Sequence, residues 1–158
     1  MSTMTQATTS NGLASLIESG REALNRIPLS LPQLLARLAV ANVFWRSGQT
    51  KLASWDTTVQ LFQNEYHVPI LPPDIAATLA ASFELGCSTL LVFGFFTRLA
   101  TLPLLGMTFV IQTFVYPSNW PDHLLWASLL VFLLARGPGV FSLDYVVGRF
   151  FERRNVLR

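Results

Sequence analysis

Glu84 is the residue of this chain best placed to do unusual chemistry. It lies in an apolar run from Ile75 to Phe96 whose only other ionisable group is the Cys87 thiol. A helix of about 20 apolar residues spans the hydrocarbon core of a bilayer. A carboxylate at that depth is costly unless it is paired or faces a polar cavity, so it marks a functional-site candidate. Polar partners sit in the preceding apolar segment: Asn42, Arg46, Gln49 and Lys51. Helical residues advance about 100° each, which puts Asn42, Arg46 and Gln49 in one narrow sector and Arg37 nearly opposite Arg46. Counted at about 1.5 Å per residue from the ends expected to face the cytoplasm, Arg46 lies roughly 22 Å up, Glu84 roughly 16 Å and Arg37 roughly 9 Å. Depth lets either arginine reach Glu84; the sector favours Arg46, with Arg37 snorkelling to the inner interface. The expected buried network is Glu84, Arg46 and Lys51, flanked by Asn42 and Gln49. It can bind a polar headgroup, relay a proton or position a quinone. A structural ion pair that fixes helix register accounts for the same residues.

The other reactive side chains are sparse. His123 stands between Asp122 and Trp126 at the expected outer rim, with Trp120 and Tyr66. A lone histidine there reads as a hydrogen-bonded interface residue. His67, Glu65, Asp74 and Asp122 share that side, but their spacing matches no metal-ligand pattern, so no metal site is expected. Bis-histidine haem ligation is disfavoured because His67 lies in a proline-rich loop. Cys87, as the single cysteine, excludes an internal disulfide and Cys-x-x-Cys chemistry, and reads as a small core residue. Gln112 and Thr113 are expected to hydrogen-bond between helices. Phosphate loops, nucleophile elbows and Ser/His/Asp sets are not recognisable.

The elements that must position these residues are membrane helices. The 158 residues are 51% hydrophobic and 13% charged, against about 25% charged in soluble domains. Mean hydropathy is +0.44. The expected fold is all-α: a transmembrane four-helix bundle with spans at about 31–52, 74–96, 99–115 and 122–136. Residues 1–11 read as a flexible tail and 12–27 as an amphipathic helix, lying on the membrane or packed on the domain. Its apolar side is Leu13, Leu16, Ile17, Leu24 and Ile27. A short interfacial helix is expected near Trp55 to Glu65. Residues 142–158 read as a basic C-terminal helix and tail, with Ser142 as N-cap and Asp144 in the first turn. Four spans put both termini on one side, with Arg21, Arg26, Arg98, Arg136, Arg149, Arg153, Arg154 and Arg158; the other side has Arg46 and Lys51. That bias predicts cytoplasmic termini. The small net charge of +2, with no basic stripe, gives no footing for nucleic acid.

Several segments in order carry a resemblance. They are Arg37-Leu38-Ala39, then Phe44-x-x-Ser47-Gly48-x-x-Lys51-Leu52, then Glu84-Leu85-Gly86. Leu91-x-x-Gly94-x-x-Thr97-Arg98 follows, and Gly137-Pro138-Gly139 with Ser142-Leu143-Asp144 closes the series. Over roughly Leu34 to Asp144 the chain resembles the DoxX family of small four-helix membrane proteins. Cys87 stands where that family often has a small residue such as glycine. In this pattern Gly48, Arg98, Gly137, Gly139 and Asp144 read as architecture: close approach, an interface anchor, a sharp exit and a cap.

The resemblance implies membrane redox work, including quinone-linked oxidation of sulfur compounds, or assembly and cargo handling. The leading expectation is a bacterial inner-membrane subunit of a redox system, quinone-linked or anchoring a soluble oxidoreductase. Its partners would be the lipid bilayer, a soluble or membrane redox protein and, as an open alternative, further copies of itself. A non-enzymatic scaffold and a small proton-coupled transporter are the alternatives. An inverted repeat would favour transport, and none is visible.

Overall fold

The computed structural model describes residues 4–66, 68 and 70–156. Those residues form α1 (Met4–Asn25), α2 (Ser30–Ala53), α3 (Trp55–Asn64), α4 (Pro73–Phe93), α5 (Thr97–Val110), α6 (Trp120–Arg136) and α7 (Leu143–Val156). A π-turn at Ile111–Val115 prolongs α5, and a 3-10 turn at Pro117–Asn119 leads into α6. Among the described residues there is no strand.

The four long helices close into a ring. α2 packs on α4 and α6, and α5 packs on the same two. The shared core is built from Val40, Phe44, Leu91, Leu104, Leu130 and Leu133. α4 presents small side chains to α2, with Ala77, Ala81, Cys87 and Ser88 all buried. Gly48 completes that close approach, since a Cβ there would lie 2.7 Å from Leu85 Cγ. By length and hydropathy, α4 and the continuous stretch Thr97–Val115 can each cross a membrane. α1 and α2 satisfy the same test only as a pair, bent by 62° around Pro28. α6 has 17 residues, about 26 Å of helix.

α1 starts at Met4, inside the stretch expected as a tail, because no glycine or proline interrupts Met4 to Asn11. Its described apolar side chains Leu16, Ile17 and Leu24 are exposed, as is Ile27 just after it. The side chains of Leu13 and Arg153 to Arg158 lie outside the described residues.

The end of the bundle that carries both termini is tied by long-range hydrogen bonds. Arg37 is buried there rather than extended to the surface. Its Nη1 donates to the carbonyls of Pro138 (3.0 Å) and Phe141 (2.8 Å), and its Nη2 donates to that of Val92 (3.2 Å). Gln33 Nε2 donates to the carbonyls of Arg136 and Gly137. Gly137 and Gly139 have φ of +77° and +82°, the left-handed region that glycine enters without steric cost. The turn they make aims successive carbonyls at α2.

Asp144 caps another helix as well as starting α7. Its carboxylate accepts from Phe96 N (2.8 Å) and Thr97 N (3.0 Å), the open donors at the start of α5. Ser142 Oγ accepts from Tyr145 N at 3.2 Å, the N-cap bond of α7. α4 ends in a Schellman turn, with Gly94 N donating to Leu91 O and Phe95 N to Leu90 O. Arg98 is exposed beside Gly137. Gln33, Arg37, the 137–139 turn and Asp144 thus tie this end of the bundle together.

Candidate functional site

At the opposite end the helices diverge around a cavity of about 520 Å³. α3 and the loop after it fold back over this end. Phe62 packs on Ala76 and Ala77 of α4, with Tyr66 and Val68 beside it. Thr58 Oγ1 donates to the carbonyls of Lys51 and Ser54, fixing α3 to the end of α2. The cavity wall is mostly apolar: Val43, Leu79, Phe83, Met107, Val110 and Ile111 contribute, and Gly106 leaves room on α5. Against this wall stand few polar groups.

Glu84 enters from α4 and is 1% exposed. Its Oε1 accepts from Lys51 Nζ at 2.8 Å and from Ser47 Oγ at 3.1 Å. Lys51 Nζ also donates to Ser47 Oγ at 2.9 Å, so the three side chains close a triangle. Ser47 and Lys51 are four apart on α2 and therefore share one face. Glu84 Oε2 is buried and has no hydrogen-bond partner. This buried carboxylate oxygen keeps its acceptor capacity unused.

The rest of the expected network lies elsewhere. Asn42, Arg46 and Gln49 are exposed on the outward side of α2. Their common sector was legible; its direction was inverted. Arg37, nearly opposite Arg46, is the buried arginine, and burying it turns Arg46 outward. Lys51 and Ser47 lie off that sector and reach Glu84 instead. Ser47 went unnoticed as a site residue, although it sits four residues before Lys51 inside the motif that holds both.

His123 enters from α6 and is buried. Its Nδ1 lies 2.6 Å from Gln112 Oε1, while Gln112 Nε2 donates to the Pro117 carbonyl at 2.9 Å. The amide nitrogen is thereby committed to a carbonyl, so the amide oxygen accepts and Nδ1 carries the proton. In the neutral ring this leaves Nε2 as an acceptor. The π-turn places Gln112 for this role, in keeping with π-turns at functional sites.

Aromatic rings border the cavity. Trp126 meets Phe44 at 5.8 Å and His123 at 5.1 Å, both edge to face. Tyr66 lies between Phe62 (5.0 Å) and Tyr116 (5.8 Å). Tyr116 Oη donates to Glu65 Oε1 at 2.8 Å, and that bond holds its phenol well above the usual range. Of the expected rim, His123, Trp126 and Tyr66 line the cavity, whereas Trp120 is exposed outside it. His67 lies outside the described residues. Among the described residues no three His, Cys, Asp or Glu side chains gather as a metal site.

Lys51, Glu84 and His123 thus line a space that is otherwise apolar and aromatic. Such a site can hold a flat amphiphile, donate to one polar atom and accept protons at others.

The DoxX family model matches residues 33–117, more than half of the chain. The chain is 31% identical over 126 residues to "Inner membrane protein YphA" of Escherichia coli (strain K12), covering 70% of this chain and 86% of that protein. No solved structure matches it. The matched residues take in Arg37, Ser47, Gly48, Lys51, Glu84 and Gly94, and with them the α2–α4 contact and all of the cavity lining except Asn119, His123 and Trp126. The chain is an all-α integral membrane protein and belongs to the DoxX family.

Proposed function

We propose that this protein is a subunit of an inner-membrane redox system and that its cavity binds a quinone. The observation that carries this reading is the Lys51–Ser47–Glu84 triangle with its open Oε2 in an otherwise apolar, aromatic-edged space. A volume of about 520 Å³ suits a ring of this size, since small-molecule sites run from about 300 to 1,000 Å³. A bound quinone supplies two-electron, two-proton chemistry. The chain's own part is binding and proton handling. Lys51 would donate a hydrogen bond to a carbonyl or hydroxyl oxygen of the bound group; on oxidation of the quinol, Glu84 and His123 Nε2 would take its two protons; Gln112 holds the imidazole tautomer. The aromatic rings and Met107 exclude water from the ring faces. Electrons pass to or from a partner redox protein.

The bundle takes four spans with both termini in the cytoplasm, as the arginine bias directs. α1 and α7 then lie along the inner leaflet. Their exposed apolar side chains, Leu16, Ile17 and Leu24 on α1 and Val146, Phe150 and Phe151 on α7, fit that position.

The test is quinone binding by the purified protein in lipid nanodiscs, read as quenching of tryptophan fluorescence by a short-chain ubiquinone or menaquinone analogue. Saturable quenching that Glu84→Gln and His123→Phe each weaken at least several-fold, with fold and abundance intact, is expected. Binding equal in wild type and both variants, or no binding of either analogue, would sink the reading.

A further inference from the structure

The outward face of α2 has a pattern of its own. Leu35, Leu38, Asn42, Trp45, Gln49 and Leu52 recur at alternating intervals of three and four residues, and all six are exposed. This is the spacing of a helix seam that packs on another helix, with Leu35, Asn42 and Gln49 in one register position and Leu38, Trp45 and Leu52 in the other. A lipid-facing surface has no use for amides at such places. In the four-span reading proposed above, on which this rests, α2 crosses the bilayer; it is 24 residues long, about 36 Å, and Asn42 lies roughly 18 Å from its start, at mid-span. Neither Asn42 nor Gln49 has a hydrogen-bond partner among the described residues. In hydrocarbon an unpaired amide is expensive.

We propose that this stripe is the contact face of a symmetric dimer and that its occupant is α2 of a second copy. Two copies enter the membrane in the same orientation, so their two-fold axis runs along the bilayer normal and their α2 helices pair in parallel. In a parallel pair with this spacing, each seam residue meets its own counterpart. That symmetry suits an amide, which both donates and accepts: Asn42 satisfies Asn42, and Gln49 satisfies Gln49. It would not suit a charge, and Arg46 falls one step off the seam. The groove beside the stripe, walled on the α4 side by Thr89, Val92 and Phe93, has a volume of about 380 Å³ and gives the partner's side chains room. The face points away from the Glu84 cavity, so the dimer and the ligand site stand or fall separately.

The test uses the full chain carrying Cys87→Ser, in native membranes. Cysteine replaces residues 35 to 52 one at a time, with Phe109→Cys on the exposed side of α5 as a control. Mild oxidation should give dimers at positions 35, 38, 42, 45, 49 and 52, and few at 43, 50 or 109. In liposomes, energy transfer between labelled copies should show Asn42→Leu weakening association about 3- to 30-fold, the span expected from interhelical hydrogen bonds, with Asn42→Gln retaining most of it. Flat cross-linking along α2, yields matched by Phe109→Cys, adducts to a different protein only, or indifference to Asn42→Leu would each overturn the proposal.

Discussion

Removing Lys51 should hurt this protein more than removing Lys51 and Glu84 together. In Lys51→Met, Glu84 keeps only the Ser47 hydroxyl as partner, and its charge then faces an apolar wall. Deleting one member of a buried pair typically costs about 3–5 kcal/mol. The Lys51 side chain is 16% exposed against 2% for Glu84, so water relieves part of the loss and the lower end, about 3 kcal/mol, applies. In Glu84→Gln an amide oxygen still accepts from Lys51, and the cost is about 1–2 kcal/mol. Lys51→Met with Glu84→Gln leaves no orphaned charge and should cost about 1–2 kcal/mol. The coupling energy from the full cycle is then about 3 kcal/mol, within a span of about 2–4. It is measurable by reversible unfolding in mixed micelles, followed by tryptophan fluorescence. A coupling below about 0.5 kcal/mol would mean that the two groups are solvated independently, and the argument from burial would fail.

Four further outcomes are expected. Gly48→Ala should destabilise by about 1–3 kcal/mol through overpacking against Leu85, in the same micelle assay; a neutral result would show that α2 and α4 separate easily. Asp144→Ala strips the cap from Phe96 N and Thr97 N and should cost about 2 kcal/mol, while Asp144→Asn should recover part of it. Gln112→Leu should release the His123 tautomer, visible as a changed pair of ring nitrogen shifts in NMR; unchanged shifts would remove Gln112 from its positioning role. Tyr116 should be the last phenol to ionise on alkaline titration at 295 nm, and Glu65→Gln should bring it down. Because its folded value is raised, its contribution to stability is present below the ordinary phenol pKa and is lost as pH climbs through the folded value.

The fold was easier to read than the site. Apolar length, prolines and the glycine turn near 137 mark the ends of α2, α4 and α6 to within a few residues, because each is a local signal, whereas α1 begins eight residues before the expected helix. Glu84 stood out for an equally local reason, a lone carboxylate in an apolar run. Its partner depended on the rotational setting of α2, which is decided by what α2 packs against. Periodicity grouped Asn42, Arg46 and Gln49, but it carries no sign for inward or outward. The buried arginine Arg37 supplies that sign only once its carbonyl partners are known, and they lie 101 and 104 residues away in sequence. The Gln112–His123 pair was hidden similarly, because a π-turn re-aims Gln112 in a way that regular helical spacing does not show.

Those same distances bear on how the chain is made. Arg37 enters the membrane early, and two of its three carbonyl partners, Pro138 and Phe141, emerge from the ribosome 101 and 104 residues later. Asp144, which closes the start of α5, arrives later still. Until then an arginine and two backbone donors wait without their partners in or near lipid. A chain that stops short of residue 137 leaves the Arg37 guanidinium with the Val92 carbonyl as the one remaining acceptor of its three.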